Sequence, residues 1–150
     1  MGSRVVGVIL FMTVFLCQSA YAGLAQKEAQ SYYDEGIEYQ KNNEYFGAQV
    51  AYNKVLVLAH DNLELQKKVL NNISLMFLKQ NKLAEAEVVL NRALEVDPHF
   101  QPALMNLGLL YEVRGEKERA WEHWLKAFAI KELIAQWKPV DFVASDDELQ

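Results

Sequence analysis

The sequence is short of the residues on which most enzymes and disulfide-stabilised proteins depend. Cys17 is the only cysteine among 150 residues, and proline occurs three times. A single cysteine cannot close an intramolecular disulfide, so the packing of apolar side chains must hold the fold. His60, His99 and His123 do not have the spacing of metal ligands. A glycine-rich phosphate loop and a serine nucleophile motif are also missing. We therefore expect no enzymatic activity, no metal and no cofactor.

An excess of basic residues is missing as well. The chain has 15 lysines and arginines against 20 aspartates and glutamates, a net charge of −5 and a pI of about 5.2. Nucleic-acid binding needs clustered Lys and Arg to meet the phosphates. Here acids interrupt the basic residues, as in the Glu-Lys-Glu-Arg run at 116–119. The composition therefore argues against nucleic acid as a partner.

The longest apolar run lies at the N-terminus. Arg4 precedes residues 5–17, which are almost all apolar, and Ala20 and Ala22 then form a small-x-small pattern. This order is typical of a secretory signal peptide, and the run is short for a membrane span. We expect residues 1–22 to be a signal peptide and the mature chain to be periplasmic or secreted. The alternative is a chain tethered to the membrane through the uncleaved segment.

A helical pattern follows, and it is clearest at residues 103–127. Leu104, Leu107 and Tyr111 recur at three- and four-residue steps, which puts them on one helix face. A second helical pattern begins after a short polar break. Two helices joined in this way predict an antiparallel hairpin, with the small Gly108 at the point where they cross.

The same pattern of small and large residues occurs three times, with shifts of 38 and then 34 residues. The three sets are Gly36, Tyr39, Ala48, Tyr52 and Val55; Ser74, Phe77, Ala86, Leu90 and Ala93; and Gly108, Tyr111, Ala120, Trp124 and Ala127. A 34-residue period is the signature of the tetratricopeptide repeat, and residues 29–134 resemble that family. The first copy departs from the family pattern at Glu35, where an apolar residue is usual.

The resemblance implies an all-α fold: a right-handed superhelical stack of three antiparallel helix hairpins with a C-terminal capping segment. The repeats would lie at about residues 29–62, 67–100 and 101–134. The domain would then span residues 23–138. Residues 139–150 form an acidic tail that we expect to be disordered at its end.

Turn and capping signals predict where individual helices begin and end. The first helix is expected at about 26–41, and the last is expected to begin near residue 116 and extend to 136. Asp61 followed by Glu64 is an acidic variant of the capping box, so a helix is expected to begin there. The four extra residues at this point make about one helical turn. They should therefore lengthen this helix without rotating its face.

Family members bind partners in a concave groove lined by the first helix of each repeat. By resemblance, the groove positions here are Tyr33, Asp34, Ile37, Lys68, Asn71, Asn72, Leu75, Met105, Asn106 and Leu109. Asp34, Asn72 and Asn106 resemble the amide rows with which some family members hold an extended backbone, since an amide donates and accepts hydrogen bonds. The alternative is that these residues only suit an exposed helix face. We expect an extended or helical partner segment to dock in this groove.

An apolar patch is expected on the last helix. Trp121, Leu125 and Phe128 lie on the side that packs against a following repeat in the family, and no fourth repeat follows. Terminal repeats normally need a polar outer face. Either the tail around Trp137 folds back over the patch, which we favour, or another chain covers it.

These observations predict a non-enzymatic scaffold or adaptor of the cell envelope that holds a protein or peptide partner. The alternative is a structural subunit that self-associates or docks through the patch on the last helix, as a homo-oligomer or in a larger assembly.

Overall fold

The computed structural model describes residues 2–128, and every regular element within them is a helix. The six helices are α1 (Gly2–Lys41), α2 (Tyr45–Leu58), α3 (Leu63–Lys79), α4 (Leu83–Val96), α5 (Gln101–Val113) and α6 (Lys117–Ala127). The prediction of an all-α fold is therefore confirmed. The described residues fall into two compact units, one ending at Val69 and one beginning at Leu70. The predicted capping segment, the helix extension to 136 and the acidic tail lie outside the described residues.

The three hairpin turns share one backbone geometry. Each first helix ends at a residue in the left-handed region: Asn43 (φ 60°), Asn81 (φ 57°) and Gly115 (φ 79°). The next amide then donates to the carbonyl oxygen five residues earlier, as Glu44 does to Tyr39 over 2.9 Å. The equivalent bonds in the other two turns are 2.9 and 2.8 Å long. This is the Schellman C-cap, for which glycine and asparagine are favoured because they tolerate positive φ.

Small residues lie where the helices of the first hairpin cross. Gly36 on α1 faces Tyr52 on α2, and a β-carbon at Gly36 would come within 2.5 Å of the tyrosine ring. The Tyr52 ring is fully buried, and its hydroxyl donates to Oε1 of Gln40 at 2.8 Å. In the opposite direction, a β-carbon at Gly47 would lie 2.8 Å from the ring of Tyr39. Two tyrosine rings seated on two glycines therefore hold α1 against α2.

The third hairpin uses the same arrangement with a larger ring. A β-carbon at Gly108 on α5 would collide with the indole of Trp124 on α6, since even the third-nearest ring atom lies at 2.7 Å. The indole Nε1 donates to the carbonyl oxygen of Met105 at 3.3 Å. At the equivalent positions of the middle hairpin, the buried residues are Ser74 and Leu90. Across the chain, the smallest crossing residue thus accompanies the bulkiest large residue.

The four extra residues lengthen α3, as predicted, because α3 has 17 residues and α5 has 13. The predicted cap of this helix is wrong by one residue. Helix α3 begins at Leu63, and the amide of Leu65 donates to the side-chain Oδ1 of Asn62 at 3.0 Å. Asn62, and not Asp61, is therefore the N-cap. Asparagine is as good a cap as aspartate, so the sequence offered two adjacent candidates.

Helix α1 is longer than predicted. It runs without a break from Gly2 to Lys41, whereas we expected it to begin near residue 26. No proline interrupts this stretch, so nothing stops the apolar N-terminal residues from continuing the helix. Across the residues that the structure describes, none of the helices combines the length and the apolar character that a membrane crossing needs. The signal peptide at residues 1–22 stays a prediction.

Candidate functional site

Helix α5 carries a row of exposed apolar side chains. Met105, Leu109 and Val113 follow one another at four-residue steps, each a rise of about 6 Å along the helix. Met105 is partly exposed, while Leu109 and Val113 are 45% and 60% exposed. Asn106 borders the row on one side and Glu112 on the other, by the 100° turn per residue. We call Met105, Leu109 and Val113 the α5 row.

The row is exposed on a helix that is otherwise firmly packed. Leu107 and Leu110 on the other faces of α5 are fully buried, and Leu104 is nearly so. The exposure of Leu109 and Val113 therefore does not reflect a loosely packed helix. Two consecutive exposed aliphatic residues beside a buried core are typical of a docking surface for another apolar side chain.

Two asparagines of the predicted groove bond to each other. Asn106 Nδ2 donates to Asn71 Oδ1 at 2.9 Å, and Asn71 is only 8% exposed. The carbonyl oxygen of Asn71 also accepts a hydrogen bond from the Ser74 hydroxyl at 2.6 Å. Asn106 thus joins α5 to α3 through Asn71, the neighbour of Asn72. Sequence reasoning missed this pairing.

The remaining predicted groove residues belong to different surroundings. Tyr33 is half-buried, with its ring centroid 6.1 Å from that of Tyr52. Asp34 is exposed and accepts a hydrogen bond from Gln30 Nε2 at 3.0 Å. Ile37 and Leu75 are half-buried. The exposed Lys68 lies 3.1 Å from Glu64, whose carboxyl pKa is lowered first by Lys67 and then by Lys68.

A polar cluster that the sequence did not predict joins α4, α5 and α6. The Tyr111 hydroxyl donates to Glu87 Oε1 at 2.6 Å and accepts from Arg119 Nη2 at 2.8 Å. Arg114 Nη1 donates to the second Glu87 oxygen at 2.5 Å. The hydrogen bond from Tyr111 is the main reason why the pKa of Glu87 is lowered, and Arg114 adds to it. Burial and the carboxylate raise the pKa of Tyr111 to about 12.

The predicted patch on α6 is only partly exposed. Trp121 and Phe128 are 41% and 55% exposed, whereas Leu125 is buried. The Trp121 ring meets that of Trp124 edge-on, with centroids 5.7 Å apart. Nearby, His123 is partly buried against the Tyr111 ring, and burial is the first cause of its lowered pKa.

The first unit has a groove of its own between α1 and α2. It has a volume of about 550 Å³ and is lined by Glu28, Tyr32, Val50, Asn53, Lys54, Val57 and Leu58. The Lys54 ammonium sits 4.2 Å from the centroid of the Tyr32 ring, a cation–π contact. This polar rim distinguishes the groove from the α5 row. Within residues 2–128, no group of three or more His, Cys, Asp and Glu side chains is arranged to hold a metal ion.

Comparison with known proteins supports the repeat. Residues 67–100 match the family model of the tetratricopeptide repeat. The photosystem I assembly protein Ycf3 of Prochlorococcus marinus subsp. pastoris is 30% identical over 90 residues, which cover 60% of this chain and 51% of that protein. The chain thus spans about half the length of this curated relative.

Solved structures agree in fold. The TPR domain of Arabidopsis OM64 superposes with a TM-score of 0.61 at 16% identity, covering 73% of this chain and 87% of that one. The TPR2B domain of yeast Sti1, in a complex with pHsp70, gives a TM-score of 0.61 at 22% identity, covering 73% and 85%. At these identities the likeness shows the fold alone. With the repeated turns and crossings, it confirms that this is a tetratricopeptide-repeat protein of the all-α solenoid class.

Proposed function

We propose that the chain is a non-enzymatic scaffold that holds a segment of a partner protein against the α5 row. Helical repeats of this kind present surfaces that bind other proteins. A relative is named as an assembly protein, and a structural neighbour is a domain in complex with pHsp70. Both support a role in holding another protein. The exposure of Leu109 and Val113 on a well-packed helix is the observation that carries the proposal.

The energy available from this row suits a reversible contact. Burying a whole Val or Leu side chain contributes about 1.5–3 kcal/mol. Roughly half of Leu109 and of Val113 is already buried, so covering the rest would contribute about 2 kcal/mol in total. Contacts to Met105 and Leu75 would add to this. Such a surface gives useful affinity only if several partner side chains engage it together.

A helical partner segment fits the row better than an extended one. An extended backbone needs amide groups that can donate and accept along its length. Asn106 already spends one N–H on Asn71, so the predicted ladder of Asp34, Asn72 and Asn106 has less to offer a backbone. A row at steps of about 6 Å instead matches the i and i+4 spacing of side chains on an amphipathic helix. The predicted groove positions in the first unit, Tyr33, Asp34, Ile37 and Lys68, stay predictions.

Site-specific photocrosslinking tests the proposal. A photoreactive amino acid would replace Leu109, and in a matched control it would replace Val88, an exposed valine on α4. We expect a partner to be captured from position 109 and not from 88. We also expect Val113→Asp to abolish the adduct, because a carboxylate in the row opposes the docking of an apolar side chain. Equal capture from positions 109 and 88, insensitive to Val113→Asp, would show that the row does not bind.

We further propose that the chain acts in the cell envelope or outside the cell. The support is the order of Arg4, the apolar residues 5–17 and the small Ala20 and Ala22. N-terminal sequencing of the protein from its native cells should give a chain that begins at Gly23. A chain that keeps residues 1–22 and stays with the membrane fraction would favour the tethered alternative. An intact chain in the cytoplasm would contradict export altogether.

A further inference from the structure

The exposed face of α6 lies at a position where this chain elsewhere contacts a neighbouring helix. The residue 34 positions before Trp121 is Glu87 on α4. Glu87 contacts the next hairpin, because it accepts hydrogen bonds from Tyr111 and Arg114 of α5. The corresponding face of α6 carries Trp121 in place of the glutamate, and Phe128 beside it on the same side. The face is thus more apolar than its counterpart inside the chain.

A head-to-tail contact between copies does not fit this face. In such a contact, α1 of the next copy would take the place that α5 has beside α4. The positions of α1 that correspond to the buried Leu107 and Leu110 are Glu35 and Glu38, and both are exposed. Pressing these carboxylates against Trp121 would bury charge without a partner, which is costly. A repeating head-to-tail chain is therefore disfavoured.

We propose that α6 pairs with α6 of a second copy across a two-fold axis. In an antiparallel pair centred between Trp124 and Leu125, Trp121 of each copy faces Phe128 of the other. Leu125 of both copies then lies near the axis. An isologous contact of this kind needs a surface that is complementary to itself, and the two aromatic residues at opposite ends of one face satisfy that condition.

The charges on α6 favour the same orientation. The acidic Glu118 and Glu122 lie in the first part of the helix and the basic Lys126 lies near its end. Glu122 and Lys126 of one copy are 2.6 Å apart and about half exposed. Antiparallel pairing brings Glu122 of each copy beside Lys126 of the other, so that two acids and two bases alternate. A parallel pair would instead set like charges against each other.

The pair should be weak and depend on concentration. Helix α6 has 11 residues, which is a length of about 16 Å. A stable dimer buries about 800 Å² on each partner, more than one helix this short can offer. We therefore expect a rapid equilibrium between monomer and dimer, with Trp121 as the main anchor, since tryptophan dominates many small interfaces.

Sedimentation velocity of the full chain over a concentration series measures this equilibrium. We expect the mean mass to rise toward that of a dimer and to stop there. Trp121→Ala should weaken dimerisation at least about tenfold. Val88→Ala, which trims an exposed valine on α4, should leave it unchanged. A monomer at every concentration, or growth beyond a dimer, would overturn the proposal.

Charge reversal separates dimerisation from folding. Lys126→Glu would set four acids together and should abolish the dimer, while Arg92→Glu on α4 makes the same change in net charge and should not. The double variant with Glu122→Lys and Lys126→Glu restores alternation and should recover the dimer. If the double variant stays as monomeric as Lys126→Glu, the antiparallel pairing is wrong. Val113→Asp should not alter the dimer, so a failure here is distinct from a failure of the α5 row to bind.

Discussion

Replacing Gly108 by alanine tests whether the hairpins are held by side-chain fit at their crossings. The added methyl group would collide with the Trp124 indole, three of whose atoms lie closer than any ordinary carbon contact. The indole cannot move freely, because its Nε1 donates to the carbonyl oxygen of Met105. The substitution must therefore displace the ring, open the crossing between α5 and α6, or both.

The expected loss can be estimated from opposing effects. Alanine is the better helix former and by itself would stabilise α5 by about 0.5–1 kcal/mol. Forcing an extra methyl into a packed contact costs about 1–3 kcal/mol. Losing the hydrogen bond to Met105 would cost about 0.5–1.5 kcal/mol more. The collision dominates, and Gly108→Ala should lower the free energy of unfolding by about 1–3 kcal/mol.

Urea unfolding followed by far-ultraviolet circular dichroism provides the assay. Gly23→Ala is the matched control, since a β-carbon at Gly23 in α1 would have nothing within 4 Å, and it should be neutral or stabilising. Combining Gly108→Ala with Trp124→Leu should recover part of the loss, because the middle hairpin has a leucine at the position that corresponds to Trp124. A Gly108→Ala variant as stable as the Gly23→Ala control would refute the reasoning.

Three further predictions follow from the polar contacts. The lowered pKa of Glu87 stabilises the fold above its unfolded value of 4.5, and this is lost as pH falls through the folded pKa; Glu87→Gln should therefore flatten the acid limb of a stability curve, checked by urea unfolding at several pH values. Because the pKa of Tyr111 is raised from 10 to about 12, stability should fall as pH rises between these values, and Tyr111→Phe should remove the last tyrosinate absorbance step; unchanged titration would contradict the buried contact. Asn72→Ala with Asn106→Ala should weaken partner binding, measured by calorimetry, without changing helicity. Unaltered affinity would leave those amides without a binding role.

The features of the fold that repeat along the chain could be predicted from the sequence. Gly36 and Gly108 stand at matching places in the pattern, and each has an aromatic residue 16 positions later. Helix geometry then requires the small and large residues to meet when the chain reverses. The turns were equally predictable, because Asn43 and Gly115 tolerate the positive φ that a Schellman cap needs. Periodicity and turn chemistry act locally, so sequence spacing captures them.

Contacts that depend on one helix position or on side-chain direction could not be predicted. Asn71 and Asn72 differ by 100° around α3, and only the folded chain shows that Asn71 is the one that meets Asn106. Glu87 has the pattern of a solvent-exposed acid, yet it accepts hydrogen bonds from Tyr111 and Arg114 more than 20 residues away. The start of α1 was misjudged because no strong breaker separates the apolar N-terminus from the first repeat.

Side-chain footprinting of the chain, alone and with its captured partner, tests the central claim most directly. Hydroxyl-radical labelling reports how much of each side chain solvent can reach. The account predicts that the partner protects Met105, Leu109 and Val113 and leaves Val88 on α4 and Phe46 on α2 as reactive as before. Protection of Val88 or Phe46 with an unchanged α5 row would contradict it.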